Sequence, residues 1–306
     1  MNQASKPLLA YLPHGINPKL FFPITEEHPD FKEYSEFERQ FKEKNGVEFI
    51  IINNNRNIRR KQIPDVILAF KVFCDGLTKE QASKCCLFLK TAIRDENGTD
   101  LMEVKRVMCP DYKVLFSEEL LPERILNFFY NLSDVCINLS SNEGFGLSTA
   151  EFLMSGAGPT ITNTTGGLQD QSGFIENGEL YFNHPDLPSN HTGKLREHGD
   201  WAFPVYPSNR SLQGSIPTPY IFDDRASFED AARVIRQVYD LSRSERKLRG
   251  LNGRNWMLGK AKMNTDALSS RFIECVDGLL ATWKPKPNFK LIKVNPRKKF
   301  ENPKVI

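Results

Sequence analysis

The 306-residue sequence has no run of about 18 apolar residues, so no helix of it is long enough to span a bilayer. Its opening, Met1-Asn2-Gln3-Ala4-Ser5-Lys6, is followed by no apolar stretch of the kind a secretory leader needs, and the chain reads as cytoplasmic. It is poor in cysteine. The six thiols, at 74, 85, 86, 109, 136 and 275, lack metal-ligand spacing and read as reduced and mostly buried. A Gly-x4-Gly-Lys-Ser/Thr loop is missing, which excludes a Walker-type nucleotidase. A strong charge is missing too: the net value of +3 does not by itself imply a nucleic-acid partner. What remains is ordinary for a water-exposed globular chain, with 40% apolar and 26% charged residues and a mean hydropathy of −0.45.

The most informative stretch is Glu143-Gly144-Phe145-Gly146-Leu147-Ser148-Thr149-Ala150-Glu151. It follows an apolar run, 135–139, that reads as a buried strand, and it opens a helix over 147–154 that Gly156 ends. The glycines therefore lie at a strand-to-helix turn. The N–H groups of Gly146, Leu147 and Ser148 would face outward there, and such an end attracts phosphate. Glu143 and Glu151 bracket this cradle. Carboxylates beside an anion site are suited to accept hydrogen bonds from hydroxyl groups attached to the anion, such as a ribose and a sugar.

Strand and helix patterns alternate from 47 to 162. Strands are expected at 47–53, 86–92, 112–116, 135–139 and 158–162, and helices at 63–73, 101–108 and 122–132. This order predicts an α/β fold with a Rossmann-like parallel sheet. Ligands of such sheets bind beyond the carboxyl ends of the strands, where the 56–61, 143 and 164–167 loops would converge. A charged helix is expected at 31–44, an irregular insertion at about 183–220 with a short strand at 201–206, and three further helices at 228–241, 244–258 and 265–283. Residues 284–306 carry eight basic residues against the single acid Glu301, with four prolines, and read as an extended tail.

The turn at 144–149 nears the dinucleotide fingerprint, but it has Thr149 at the last position and stands late in the chain. A nicotinamide enzyme is disfavoured on both counts. The spacing of Glu143 and Glu151, with seven residues between, resembles the E-x7-E pattern of retaining glycosyltransferases of the two-Rossmann-domain (GT-B) type, family 4 in particular. The similarity extends to Arg56 and Lys61, placed like the family's R-x4-K loop. It also includes the linker-like Tyr11–Asn17, Ser133-Asp134, Gly156, Gly166-Gly167 and a glycogen-synthase-like Thr165–Asp170. Asn55 and Gln62 stand where the family has glycine.

The resemblance implies the C-terminal, donor-binding half of a GT-B fold, followed by helices and the basic tail. Residues 1–16 would be the exit of an acceptor domain, 17–283 the nucleotide-sugar domain and 284–306 the tail. The implied enzyme moves a sugar from a nucleotide-diphosphate sugar to an acceptor hydroxyl with retained configuration. Arg56 and Lys61 would grip the diphosphate, and Glu143 the transferred sugar. Glu151, Gly144, Phe145, Gly146, Leu147 and Ser148 would complete the donor site. Two cations and a helix end make a metal unnecessary, the sequence has no Asp-x-Asp pair, and no cofactor is implied beyond the donor substrate.

Two other readings stand beside this one. The first is a nucleotide-sugar-binding subunit, inactive until a partner chain supplies an acceptor domain. The second is a nucleic-acid-associated protein acting through the tail. Arg59 and Arg60 read as solvated or phosphate-steering, His184, His191 and His198 as surface histidines, and Phe128, Phe129 and Tyr130 as helix core. His14 is placed near the cleft.

Overall fold

The computed structural model describes residues 10–180 and 193–284. Of the expected features, the tail from 285 onward, His184 and His191 lie outside the described residues. The chain runs through α1 (Phe31–Asn45), β1 (Phe49–Asn54), α2 (Ile63–Asp75), α3 (Lys79–Ser83), β2 (Cys85–Lys90), α4 (Leu101–Met108) and β3 (Lys113–Ser117). It continues with α5 (Glu123–Leu132), β4 (Val135–Asn138), α6 (Leu147–Ser155), β5 (Thr160–Asn163) and α7 (Gly167–Ser172). Two short strands, β6 (Ile175–Glu176) and β7 (Glu179–Leu180), precede β8 (Ala202–Val205), β9 (Pro207–Ser215) and β10 (Thr218–Ala226). Three helices close the described chain: α8 (Phe228–Tyr239), α9 (Arg243–Leu258) and α10 (Thr265–Thr282).

Six strands form one parallel sheet in the order β3-β2-β1-β4-β5-β8. Residues of β1 alternate between two cores, as the period of two in a strand requires. Phe49 and Ile51 face a cluster with Ile67 and Phe70 of α2 and Ile235 and Val238 of α8. Ile50 and Ile52 face the other, with Phe152 and Leu153 of α6 and Trp256 and Met257 of α9. Helices thus cover both faces, which is why β1 opens with the unbroken apolar run Phe49–Ile52.

The sheet grows from β1 outward to β3, then returns to add β4 on the other side of β1. Loops leaving the carboxyl ends of β1 and β4 therefore diverge around a crevice, the place where such sheets bind ligands. The lead-in is tied to the far end of the chain. Ile16 is buried, its N–H donates to the Met263 carbonyl (3.0 Å), and its carbonyl accepts from Thr265 N–H (3.2 Å).

The expected irregular insertion is corrected by the structure over its second half. Residues 207–226 form an antiparallel hairpin, β9–β10. β9 is Pro-Ser-Asn-Arg-Ser-Leu-Gln-Gly-Ser, with one large apolar residue, so no apolar alternation marks it. The strand expected at 201–206 is β8, the sixth strand of the sheet.

Candidate functional site

After β1 the chain makes a single 3₁₀ turn, Arg59–Lys61, and enters α2 through Gln62. Gln62 stands in the left-handed region at φ +52°, a conformation that glycine adopts without a Cβ penalty. The turn directs Lys61 inward. Its Nζ forms an ion pair with Glu143 Oε2, and both side chains are nearly shielded, at 11% and 9% exposure. Arg60 Nη1 donates to the Asn142 carbonyl (3.0 Å) and lies 3.4 Å from the same Glu143 oxygen. Burial holds the Lys61 ammonium below its usual pKa, against the opposing pull of Glu143.

Main-chain contacts fix the loop that carries Glu143. Ser141 N–H donates to the Arg60 carbonyl (2.8 Å), and Gly167 N–H donates to the Glu143 carbonyl (3.1 Å). Gly166 lies against that carbonyl: a Cβ there would stand 1.8 Å from the oxygen. Gly146, at φ +90°, turns the chain into α6, and a Cβ on it would meet Leu168 Cδ2 at 2.7 Å. No side chain caps the N-terminus of α6. Leu147 is half exposed and Ser148 is partly exposed, so the first turn is open to solvent. Gly144 has open space around it, whereas Phe145 is buried and meets His14 edge-on, with ring centroids 5.1 Å apart. The Phe145 carbonyl accepts from Gln171 Nε2 (2.6 Å).

The structure therefore brings together Lys61, Glu143 and the open helix end. Arg56 and Glu151 have other partners. Arg56 Nε donates to Asp95 Oδ2 (2.9 Å), and its side chain is 63% exposed. Glu151, half-buried in α6, accepts from the Tyr130 hydroxyl (2.7 Å), which in turn accepts from Asn54 Nδ2 (2.8 Å). Burial raises the Glu151 pKa, and the Tyr130 bond opposes that rise.

Two residues of this site make contacts that the sequence did not announce. Arg60, read as solvated or phosphate-steering, lies beside the buried acid with its side chain 39% exposed. Tyr130 was read as core; it is fully buried, and its hydroxyl also holds Glu151. A buried tyrosine hydroxyl needs a partner, and that was the signal available. His198 contacts the Gly199 carbonyl (2.9 Å) and the Phe174 ring. Among the described residues no three His, Cys, Asp or Glu side chains are grouped to hold a metal ion.

No protein-family model matches the chain, and no curated protein matches it. Solved structures do. Sucrose-phosphate synthase from Thermosynechococcus elongatus superposes with a TM-score of 0.56 at 20% identity, over 89% of this chain and 53% of that one. WaaG, a glycosyltransferase involved in lipopolysaccharide biosynthesis, gives 0.54 at 14% identity, over 86% and 55%. A glycosyltransferase from Rickettsia africae gives 0.58 at 16% identity, over 89% and 57%. The chain spans about half the length of these structures. At such identities the likeness is one of fold: the chain has the α/β, Rossmann-like parallel-sheet architecture that makes up about half of these GT-B glycosyltransferases.

Proposed function

We propose that this chain is the donor-binding half of a retaining glycosyltransferase that uses a nucleotide-diphosphate sugar. The observation that carries the reading is the pairing of Lys61 with Glu143 in the β1–β4 crevice, next to the uncapped N-terminus of α6. A diphosphate leaving group needs its growing negative charge stabilised, and a buried ammonium with a helix end supplies that without further ions. Arg60, beside Glu143, adds charge, and Arg56 would reach the same phosphates by exchanging Asp95 for them. Glu143 accepts hydrogen bonds from the sugar hydroxyls, and Glu151 from the ribose.

In the transfer, the bond from the anomeric carbon to the diphosphate oxygen breaks and a bond to the acceptor oxygen forms on the same face. A phosphate oxygen of the departing group takes the acceptor's proton. The residues of this chain bind and orient the donor, and the acceptor site belongs to a second domain. A companion reading is that the donor-binding half binds a nucleotide sugar without turning it over.

Titration with UDP, GDP and ADP tests the proposal. Lys61→Ala should weaken the bound nucleotide about 100-fold, the loss of one buried charge-assisted contact. Glu143→Ala should keep the nucleotide and lose transfer. Normal nucleotide binding by Lys61→Ala and Arg60→Ala together would remove the site assignment. Binding without hydrolysis or transfer supports the companion reading.

A further inference from the structure

We propose that the β9–β10 hairpin holds the acid loop in register for the donor, with Asp223 as its positioning residue. The proposal rests on Glu143 facing the sugar, as argued above. Asp223 Oδ1 accepts from Asn142 Nδ2 (2.7 Å) and from Ser141 Oγ (3.1 Å). Its neighbour Asp224 donates its N–H to the Ser141 carbonyl (2.8 Å). Ser141 N–H is already committed to the Arg60 carbonyl, so this one residue is held between the cation loop and the hairpin.

The root of the hairpin reaches further. Asn163, at the end of β5, donates to the carbonyls of Ser140 (2.8 Å) and Asp224, and Thr165 Oγ1 donates to Asp224 Oδ2 (3.4 Å). Arg225 pairs with Asp65 in the first turn of α2 (2.8 Å). Three strand-end loops thus share one anchor. Glu143 stands a single residue beyond Asn142, so the grip of Asp223 sets where the carboxylate stands relative to Lys61. A purely structural contact would lower stability and leave ligand preference alone. A positioning contact changes how well the sugar is held compared with the nucleotide.

The test uses the full chain with UDP, GDP, ADP and their glucose conjugates, taking forward the pair that the wild type binds. Asp223→Ala should weaken the glucose conjugate about tenfold and the nucleoside diphosphate by less than about threefold, the scale of a slightly misplaced contact. Asp223→Asn retains an oxygen acceptor and should restore both values. Hydrogen exchange of residues 140–146 should be faster in Asp223→Ala and normal in Asp223→Asn. An Asp223→Ala protein with wild-type affinities and wild-type exchange overturns the proposal, as does equal weakening of both ligands in both variants. A wild type that binds none of the six compounds overturns the glycosyltransferase reading and the positioning role with it. The exchange result, which needs no ligand, still reports whether the hairpin restrains the loop.

Discussion

Asp170 offers a test of the packing behind the site. It lies in α7, three residues beyond the Gly167 that touches the Glu143 loop, and is 7% exposed. The Tyr11 hydroxyl donates to its Oδ2, and Oδ1 has no hydrogen-bond partner among the described residues. Burial pushes its pKa from the ordinary 3.8 up to about 6, with the Tyr11 bond opposing. A carboxyl whose folded pKa is raised binds its proton more tightly in the folded state. Stability should therefore be highest below pH ~4 on account of this group, and should fall as pH rises through about 6. A shift of about two units corresponds to roughly 3 kcal/mol of cost at pH 8.

Asp170→Asn removes the charge and keeps an acceptor for Tyr11, while its amide N–H groups introduce a loss of about 1 kcal/mol. The net expectation at pH 8 is a gain of about 2 kcal/mol, or about 4 °C in Tm. At pH 4 the gain should vanish and the variant should be slightly the less stable. Urea unfolding suits the measurement, followed through the buried Trp201, whose Nε1 donates to the Gln171 carbonyl (3.0 Å). An equal gain at both pH values, or a loss at pH 8, would refute the claim that Asp170 carries its charge at a cost.

Three further outcomes are expected. Gly166→Ala drives a methyl group into the Glu143 carbonyl at a residue with φ +49°, and should destabilise by at least about 3 kcal/mol in urea unfolding; a loss under about 1 kcal/mol would show that the loop yields freely. Tyr130→Phe removes the hydroxyl shared by Asn54 and Glu151; it should cost about 1–2 kcal/mol and move the Glu151 pKa further up, read by carboxyl NMR titration, and an unmoved titration would count against the relay. Asp95→Asn releases Arg56 from its ion pair and should tighten nucleoside diphosphate binding about threefold at low salt, less so at 0.5 M; unchanged affinity would keep Arg56 out of the phosphate site.

Regular features of this fold were legible wherever one signal decided them. The alternation of apolar strands with amphipathic helices located all five strands expected between 47 and 162, because burial on both sheet faces leaves an apolar run that local chemistry does not imitate. The α6 turn was legible through Gly146 and Gly156, both at positive φ. α7 was not, because Gly166-Gly167 reads as loop, while the structure requires those glycines for the approach to the Glu143 carbonyl and to Phe145. The hairpin was hidden because its stability comes from its ladder and its root, not from an apolar face. Side-chain pairing was the least legible. Arg56 and Arg60 are four residues apart, and only the 3₁₀ turn decides that Arg60 reaches Glu143 while Arg56 reaches Asp95.

The pairing of Lys61 with Glu143 constrains how any anion enters. Both groups are largely out of water, so their attraction is screened less than that of a surface pair. An incoming diphosphate cannot simply add to Lys61; it must compete with a carboxylate already in place. It carries more charge than one carboxylate, and the α6 N-terminus, uncapped, favours it further. In the proposed donor site, Lys61 turning to the phosphate would leave Glu143 only the more distant and more exposed Arg60, 3.4 Å away, as a hydroxyl-bearing group arrives beside it, and a largely buried carboxylate with a weakened partner is costly. The sugar hydroxyls of the proposed nucleotide-diphosphate sugar would meet that need and a bare diphosphate would not. Under the proposed function the ion pair would therefore discriminate, favouring an anion and a polyol joined at a fixed distance.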